Sequence, residues 1–89
     1  MSKRQREVLK RLLVRAFNKN QILILSEIKD GTITSFLTNL SRDSEIPLST
    51  LKLNAKILKQ LDLISFNSTA QLTKFGKFIL KLLGGDIPT

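Results

Sequence analysis

The chain contains no cysteine, histidine, tyrosine or tryptophan among its 89 residues. Without cysteine, disulfide bonds and thiolate metal ligands are excluded, and the sequence carries no sign of its redox compartment. Without histidine, the chain lacks both the commonest general base and the commonest metal ligand. We therefore expect neither a bound metal nor a cofactor.

Acidic residues and glycines are too few and too scattered for the usual catalytic motifs. The seven Asp and Glu residues include no pair at helical spacing within one predicted helix, which argues against paired-carboxylate chemistry. The four glycines match neither nucleotide-binding fingerprint. From this inventory we predict that the protein is not an enzyme.

Long apolar runs are also missing. No apolar stretch approaches the 18 residues that a membrane-spanning helix requires. The N-terminal residues are basic but lack the apolar core and small-residue cleavage site of a secretory signal. These features predict a cytoplasmic protein and argue against a membrane partner.

Positive charge is the most unusual feature of the composition. Fifteen Lys and Arg residues against seven Asp and Glu give a net charge of +8. Such a balance favours a polyanionic partner, first nucleic acid and second an anionic membrane surface. The hydrophobic content of 42% is ordinary for a folded protein, so we expect residues 1–89 to form one domain with a modest core.

The first half of the chain predicts three helices. Residues 2–17 form a basic amphipathic pattern, and a polar turn is expected at 18–20. The apolar run within 21–29 suits a buried strand or a buried helix, and its spacing and the following Asp30-Gly31 favour helix. After an extended link at 32–33, a short helix starting at Thr34 is expected to end in the polar residues 41–45.

The stretch from Ile46 to Ile64 predicts the helix around which the chain is organised. Pro47 fixes the backbone for a helix start, and the hydroxyls of Ser49 and Thr50 are expected to cap it. At 100° per residue, one side of the helix is apolar and a neighbouring flank is basic. The expected buried residues are Leu51, Ala55 and Leu58, and the flank carries Lys52, Lys56 and Lys59.

Two short apolar segments after this helix surround the polar turn Asn67-Ser68-Thr69, a pattern that predicts a small β-hairpin. Thr73 is placed to cap a last helix. One side of that helix is apolar and the other is lysine-rich, and Gly84-Gly85 ends it. The apolar residues are Phe75, Phe78, Ile79 and Leu82, and the lysines are Lys74, Lys77 and Lys81.

This order of elements resembles the winged helix-turn-helix fold over residues 20–83. The resemblance is carried by the helix at 34–45, the Ile46-Pro47 turn, the helix ending in Leu61-Asp62-Leu63-Ile64, and residues 72–76. The last segment, Leu-Thr-Lys-Phe-Gly, is similar to the Leu-Thr-x-x-Gly that follows the wing of bacterial and archaeal transcriptional regulators. The resemblance implies a mainly α fold with a small β-hairpin, an additional basic helix at 2–19 and a tail at 84–89.

The resemblance also implies a function, a double-stranded DNA-binding transcriptional regulator whose helix 49–61 lies in the major groove. Such domains usually act as homodimers on two half-sites, with the first or the last helix as the seam. Lysines neutralise phosphates, hydroxyls bind phosphate or bases, and asparagine can pair with adenine. The candidate DNA-binding residues are Ser49, Thr50, Lys52, Leu53, Asn54, Lys56 and Lys59 of this helix, Ser68 and Thr69 of the wing, and Arg4, Arg11 and Arg15 of the first helix.

Other interpretations of these residues stay open. The lysines of helix 49–61 also suit a solvated surface, and the wing, which has no cation at its tip, also suits an ordinary turn. The first helix suits a phosphate-binding arm, a dimer seam with a solvated outer face, or a membrane-surface helix. Leu53 lies opposite the buried side, where it can contact a thymine methyl group, the hairpin or another protein. The alternative function is a winged-helix protein–protein interaction module in a larger nucleic-acid-processing assembly.

Overall fold

The computed structural model describes residues 2–29, 31–66 and 69–84. Over these ranges the protein is mainly helical, with a small antiparallel hairpin, as the sequence predicts. The elements are α1 (Lys3–Ala16), α2 (Lys19–Glu27), α3 (Ile33–Ser44), α4 (Leu48–Gln60), β1 (Ile64–Ser65), β2 (Gln71–Leu72) and α5 (Lys74–Gly84). The predictions for Asp30, for Asn67 and Ser68 of the wing, and for residues 85–89 fall outside the described residues.

The junction between α1 and α2 is shorter than predicted, and the expected turn at 18–20 is wrong. Asn18 is the N-cap of α2, because its side-chain Oδ1 accepts a hydrogen bond of 2.8 Å from the backbone N–H of Gln21. The side-chain Oε1 of Gln21 in turn accepts a hydrogen bond of 3.1 Å from the backbone N–H of Asn18. This reciprocal capping box satisfies two free amides and lets the helix begin at Lys19. The choice of helix over strand for the apolar run is confirmed.

Helix α3 begins one residue earlier than the sequence predicts and ends where it is expected to, within residues 41–45. The expected extended link at 32–33 is wrong at Ile33, because the Thr32 hydroxyl accepts a hydrogen bond from the Ser35 amide and helix starts at once. At the other end, the helix runs to Ser44, and Glu45 ends it with a left-handed φ of 62°. The Ser41 hydroxyl donates to the Ile46 carbonyl and so joins α3 to the turn before α4.

Helix α4 begins without the predicted side-chain cap. Its N-cap is Pro47, and no side chain caps the helix. Ser49 and Thr50 do not cap, because both lie within the first turn, after the N-cap position from which a hydroxyl accepts a hydrogen bond from the free amides that follow it. The helix ends at Gln60, and Asp62 adopts a φ of 62° that turns the chain into β1.

The hairpin is confirmed, and it is tied to two other parts of the fold. Ile64 pairs with Leu72 and Ser65 with Gln71 in an antiparallel register. The amide of Ala70 also donates a hydrogen bond of 2.7 Å to the Gly31 carbonyl. This bond fixes the segment between α2 and α3 against the hairpin.

Thr73 caps α5 as the sequence predicts. Its Oγ1 accepts a hydrogen bond of 2.9 Å from the Gly76 amide and donates one of 2.6 Å to the Asp62 carbonyl. The Thr73 amide donates at 3.1 Å to the Leu63 carbonyl. The threonine therefore joins the first turn of α5 to the turn that follows α4.

The core lies where α2, α3, α4, the hairpin and α5 meet. The predicted burial of Leu51, Ala55 and Leu58 is confirmed. The largest fully buried side chains are Ile24, Leu25, Leu51, Leu58, Leu63 and Ile64. The predicted apolar stripe of α5 divides into two parts, because Ile79 and Leu82 are buried whereas Phe75 and Phe78 are half exposed.

Helix α1 packs against α5 and contributes no buried residue. Leu13 and Phe17 pack against the edge of the core, whereas Val8 and Leu12 are exposed. In the part of the chain that the structure describes, no helix is long and apolar enough to cross a membrane.

Candidate nucleic-acid interface

Helix α4 packs against α2, α3 and β1 and leaves one broad face to solvent. On a helical projection at 100° per residue, Leu51 marks the centre of the buried side, and the centre of the exposed face lies about 180° from it. The flank nearest α3 is basic, and the opposite flank is apolar. The exposed residues are Ser49, Lys52, Leu53, Lys56, Lys59 and Gln60.

The basic flank consists of Lys52, Lys56 and Lys59, all exposed as predicted. Helix α4 contains no acidic residue, and the only ion pair among the described residues joins Arg42 to Asp43 at 3.5 Å. The ammonium of Lys59 lies 4.6 Å from the centre of the Phe66 ring, a cation–π contact. The three lysines therefore present positive charge that no described carboxylate neutralises.

Asn54 does not fit its predicted role as a reader of bases. It is only 5% exposed. Its Oδ1 accepts a hydrogen bond of 3.0 Å from Asn18 Nδ2, and its own Nδ2 donates one of 2.8 Å to the Thr50 carbonyl. Because the side chain is buried and both ends of the amide are engaged, a base edge cannot reach it in this structure. Asn54 instead connects α4 to the α1–α2 junction.

The remaining α4 candidates differ in accessibility. Ser49 is exposed and Thr50 is half-buried. Leu53 is 60% exposed, and Ile57 beside it is half-buried. Leu53 is therefore too exposed to pack beneath the hairpin.

Gln60 is a candidate that the sequence analysis missed. It is exposed and lies between the lysine flank and Leu53 on the helical projection. A glutamine amide can pair with the N6/N7 edge of adenine, as asparagine can. Its position opposite Leu51 could have identified it from periodicity alone.

The other predicted contacts belong to separate elements. Arg4, Arg11 and Arg15 are exposed on α1, which packs against α5. Thr69 is exposed in the hairpin loop, and Ser68 lies outside the described residues. The structure thus groups the three α4 lysines with Ser49 and Leu53, whereas the α1 arginines form a second basic surface.

The described residues contain no group of three or more acidic side chains placed to hold a metal ion. Comparison of the chain with family models, curated proteins and solved structures gives no significant match. The winged-helix interpretation therefore depends on the residues and the order of elements described above.

Proposed function

We propose that the protein is a winged-helix protein that binds double-stranded DNA and regulates transcription in the cytoplasm, without catalytic activity. The observation that carries the proposal is the basic flank of α4. Lys52, Lys56 and Lys59 are exposed and lack described acidic partners, on a helix whose opposite side is buried. A rigidly held helix with unneutralised lysines suits contacts with the phosphates that border a groove.

The arrangement of elements supports the winged-helix part of the proposal. Helices α2, α3 and α4 precede the hairpin, and α5 follows it. The bond from Ala70 to Gly31 and the bonds around Thr73 hold the hairpin beside α4. In this interpretation α4 is the reading helix and the hairpin is the wing.

We also propose a homodimer with α1 in the seam. Val8 is 50% and Leu12 is 59% exposed on α1, and both lie on one side of that helix. A second copy would bury these side chains and present two α4 helices to two half-sites. Arg11 lies about 80° from the middle of this side at 100° per residue, so it would remain available to phosphates at the edge of the seam.

Duplex binding measured across a range of salt concentrations tests the proposal. If about six phosphates are neutralised, log K falls with log salt at a slope of about −5. No duplex binding at low salt, or an affinity that salt does not change, would refute DNA binding. Selection of bound sequences from a random duplex pool would then test specificity, and a two-fold-symmetric consensus is expected from the dimer.

Charge-reversal variants locate the interface. The double variant Lys52→Glu/Lys56→Glu should abolish duplex binding without unfolding, since both side chains are exposed. The matched control is Lys74→Glu/Lys77→Glu, which makes the same charge change on exposed residues of α5. If both double variants weaken binding equally, net charge and not the α4 flank controls the affinity.

The alternative, a protein–protein interaction module, is favoured by one observation, the 60% exposure of Leu53 beside Ile57. Leu53→Asp distinguishes the two functions. Loss of a partner interaction with unchanged duplex binding would support the module. Loss of duplex binding in Lys52→Glu/Lys56→Glu with the fold intact would support the regulator.

A further inference from the structure

A groove of about 350 Å³ lies between α3, α4 and the end of β1. Its floor is apolar, with Ile33 and Leu37 from α3, Ala55 from α4 and the ring of Phe66. This volume is at the lower end of the range of small-molecule pockets, about 300–1,000 Å³. The groove is therefore large enough for a small ligand.

The rim of the groove is strongly positive. Lys52, Lys56 and Lys59 all line it, and no acidic side chain does so among the described residues. The Lys59 ammonium lies over the Phe66 ring, so one cation is held directly above the apolar floor. An apolar floor below three cations is complementary to a molecule with an apolar body and an anionic head.

We propose that this groove binds a small organic anion, a flat aromatic body carrying a carboxylate. The aromatic body would cover the apolar floor, and the carboxylate would pair with the lysines at the rim. A DNA backbone would supply negative charge to the lysines but no apolar body, because its sugars and phosphates would leave the floor uncovered. The ligand would occupy the lysines of the proposed DNA interface, and it would therefore compete with duplex binding. That last consequence rests on the proposed function, whereas ligand binding itself does not.

The test is an NMR titration of the ¹⁵N-labelled protein with 2-naphthoate and, separately, with the neutral 2-naphthamide. Saturable shifts are expected for the amides of Ile33, Thr34, Leu37 and Phe66. The carboxylate should bind roughly tenfold more tightly than the amide, because three exposed ion pairs together contribute about that factor. The ring is the same in both probes, so this ratio isolates the charge.

Two triple variants complete the design. Lys52→Gln/Lys56→Gln/Lys59→Gln should bring the two probes to equal affinity while leaving the protein folded, because all three lysines are exposed. The control removes the same charge from α5, by Lys74→Gln/Lys77→Gln/Lys81→Gln, and should keep the tenfold ratio. A change of the ratio in the control would mean that net charge, and not the groove, attracts the carboxylate.

Three results would overturn the inference. One is equal binding of the two probes by the unmodified protein. Another is the absence of shifts at millimolar naphthoate, even if duplex DNA shifts the same amides. The third is shifts confined to the exposed apolar residues of α1 and α5. Binding of naphthoate to a protein that fails to bind duplex would refute the proposed function and leave this inference standing.

Discussion

Replacement of Gly76 by alanine should destabilise the fold, although alanine is the better helix former. Gly76 lies in the first turn of α5, directly against the turn that joins α4 to β1. A Cβ atom built there would overlap the carbonyl oxygen of Leu63 and lie 2.9 Å from its carbonyl carbon. The obstacle is backbone, so no change of rotamer can relieve the overlap. The same oxygen accepts the amide of Thr73, so any displacement of α5 also strains the helix cap.

Three contributions set the expected change in the free energy of unfolding of Gly76→Ala. Overpacking costs about 1–3 kcal/mol, and weakening of the hydrogen bond to Leu63 costs about 1 kcal/mol. The higher helix propensity of alanine returns about 1 kcal/mol. The expected net loss is about 2 kcal/mol, equivalent to a fall in Tm of roughly 8–16 °C for a domain of this size.

Urea denaturation and thermal unfolding followed by circular dichroism measure this loss. Lys77→Ala is the matched control, because Lys77 is exposed on the same helix and should change stability by less than about 0.5 kcal/mol. An unchanged or raised midpoint for Gly76→Ala would refute the close approach of α5 to Leu63. It would also remove the physical reason for the glycine in the Leu-Thr-x-x-Gly segment.

Three further predictions concern the caps and the seam. Asn18→Ser keeps an N-cap oxygen but not the side-chain amide that reaches Asn54, so it should lower the free energy of unfolding by about 1–2 kcal/mol in urea titrations, and Asn18→Ala should lower it by about 1 kcal/mol more. An unchanged stability of Asn18→Ser would mean that the bond to Asn54 is not needed, and equal losses in the two variants would mean that the cap is not needed. Thr73→Val removes both hydrogen bonds of that hydroxyl and should cost about 1–2 kcal/mol by the same measurement, whereas Thr73→Ser should cost little. Leu12→Gln should dissociate the proposed dimer in sedimentation equilibrium, whereas Leu53→Gln, at almost equal exposure on α4, should leave it intact; a dimer that survives Leu12→Gln would move the seam away from α1.

Features that depend on neighbouring residues in the chain were predictable from the sequence. The buried side of α4 follows from the spacing of its apolar residues, and the exposed lysines follow from the same period. The hairpin follows from two apolar segments around a polar turn. The capping role of Thr73 follows from its position just before an amphipathic run. Each of these features is decided by residues within about eight positions of one another in the sequence.

Features that depend on distant partners were not predictable in the same way. The start of α2 was missed although it is a local feature, because the reciprocal bonds of Asn18 and Gln21, three residues apart, compete with the turn that an Asn-Lys-Asn sequence also favours. The burial of Asn54 requires a donor 36 residues away in the sequence. Periodicity did contain one clue, since Asn54 follows Leu51 by three residues and precedes Leu58 by four, so it lies on the buried side.

The engagement of Asn54 changes what the proposed reading helix can recognise. Lysine contacts with phosphates position a protein on DNA but carry no sequence information by themselves. Without Asn54, the direct base contacts left to the exposed face of α4 are those of Ser49, Leu53 and Gln60 and of any lysine that does not pair with a phosphate. The same hydrogen bond ties α4 to Asn18, which immediately follows the helix that we place in the dimer seam. The distance between the two α4 helices of a dimer would then be fixed by internal bonds. Discrimination between DNA sites would consequently depend more on the spacing of half-sites than on base contacts within each one.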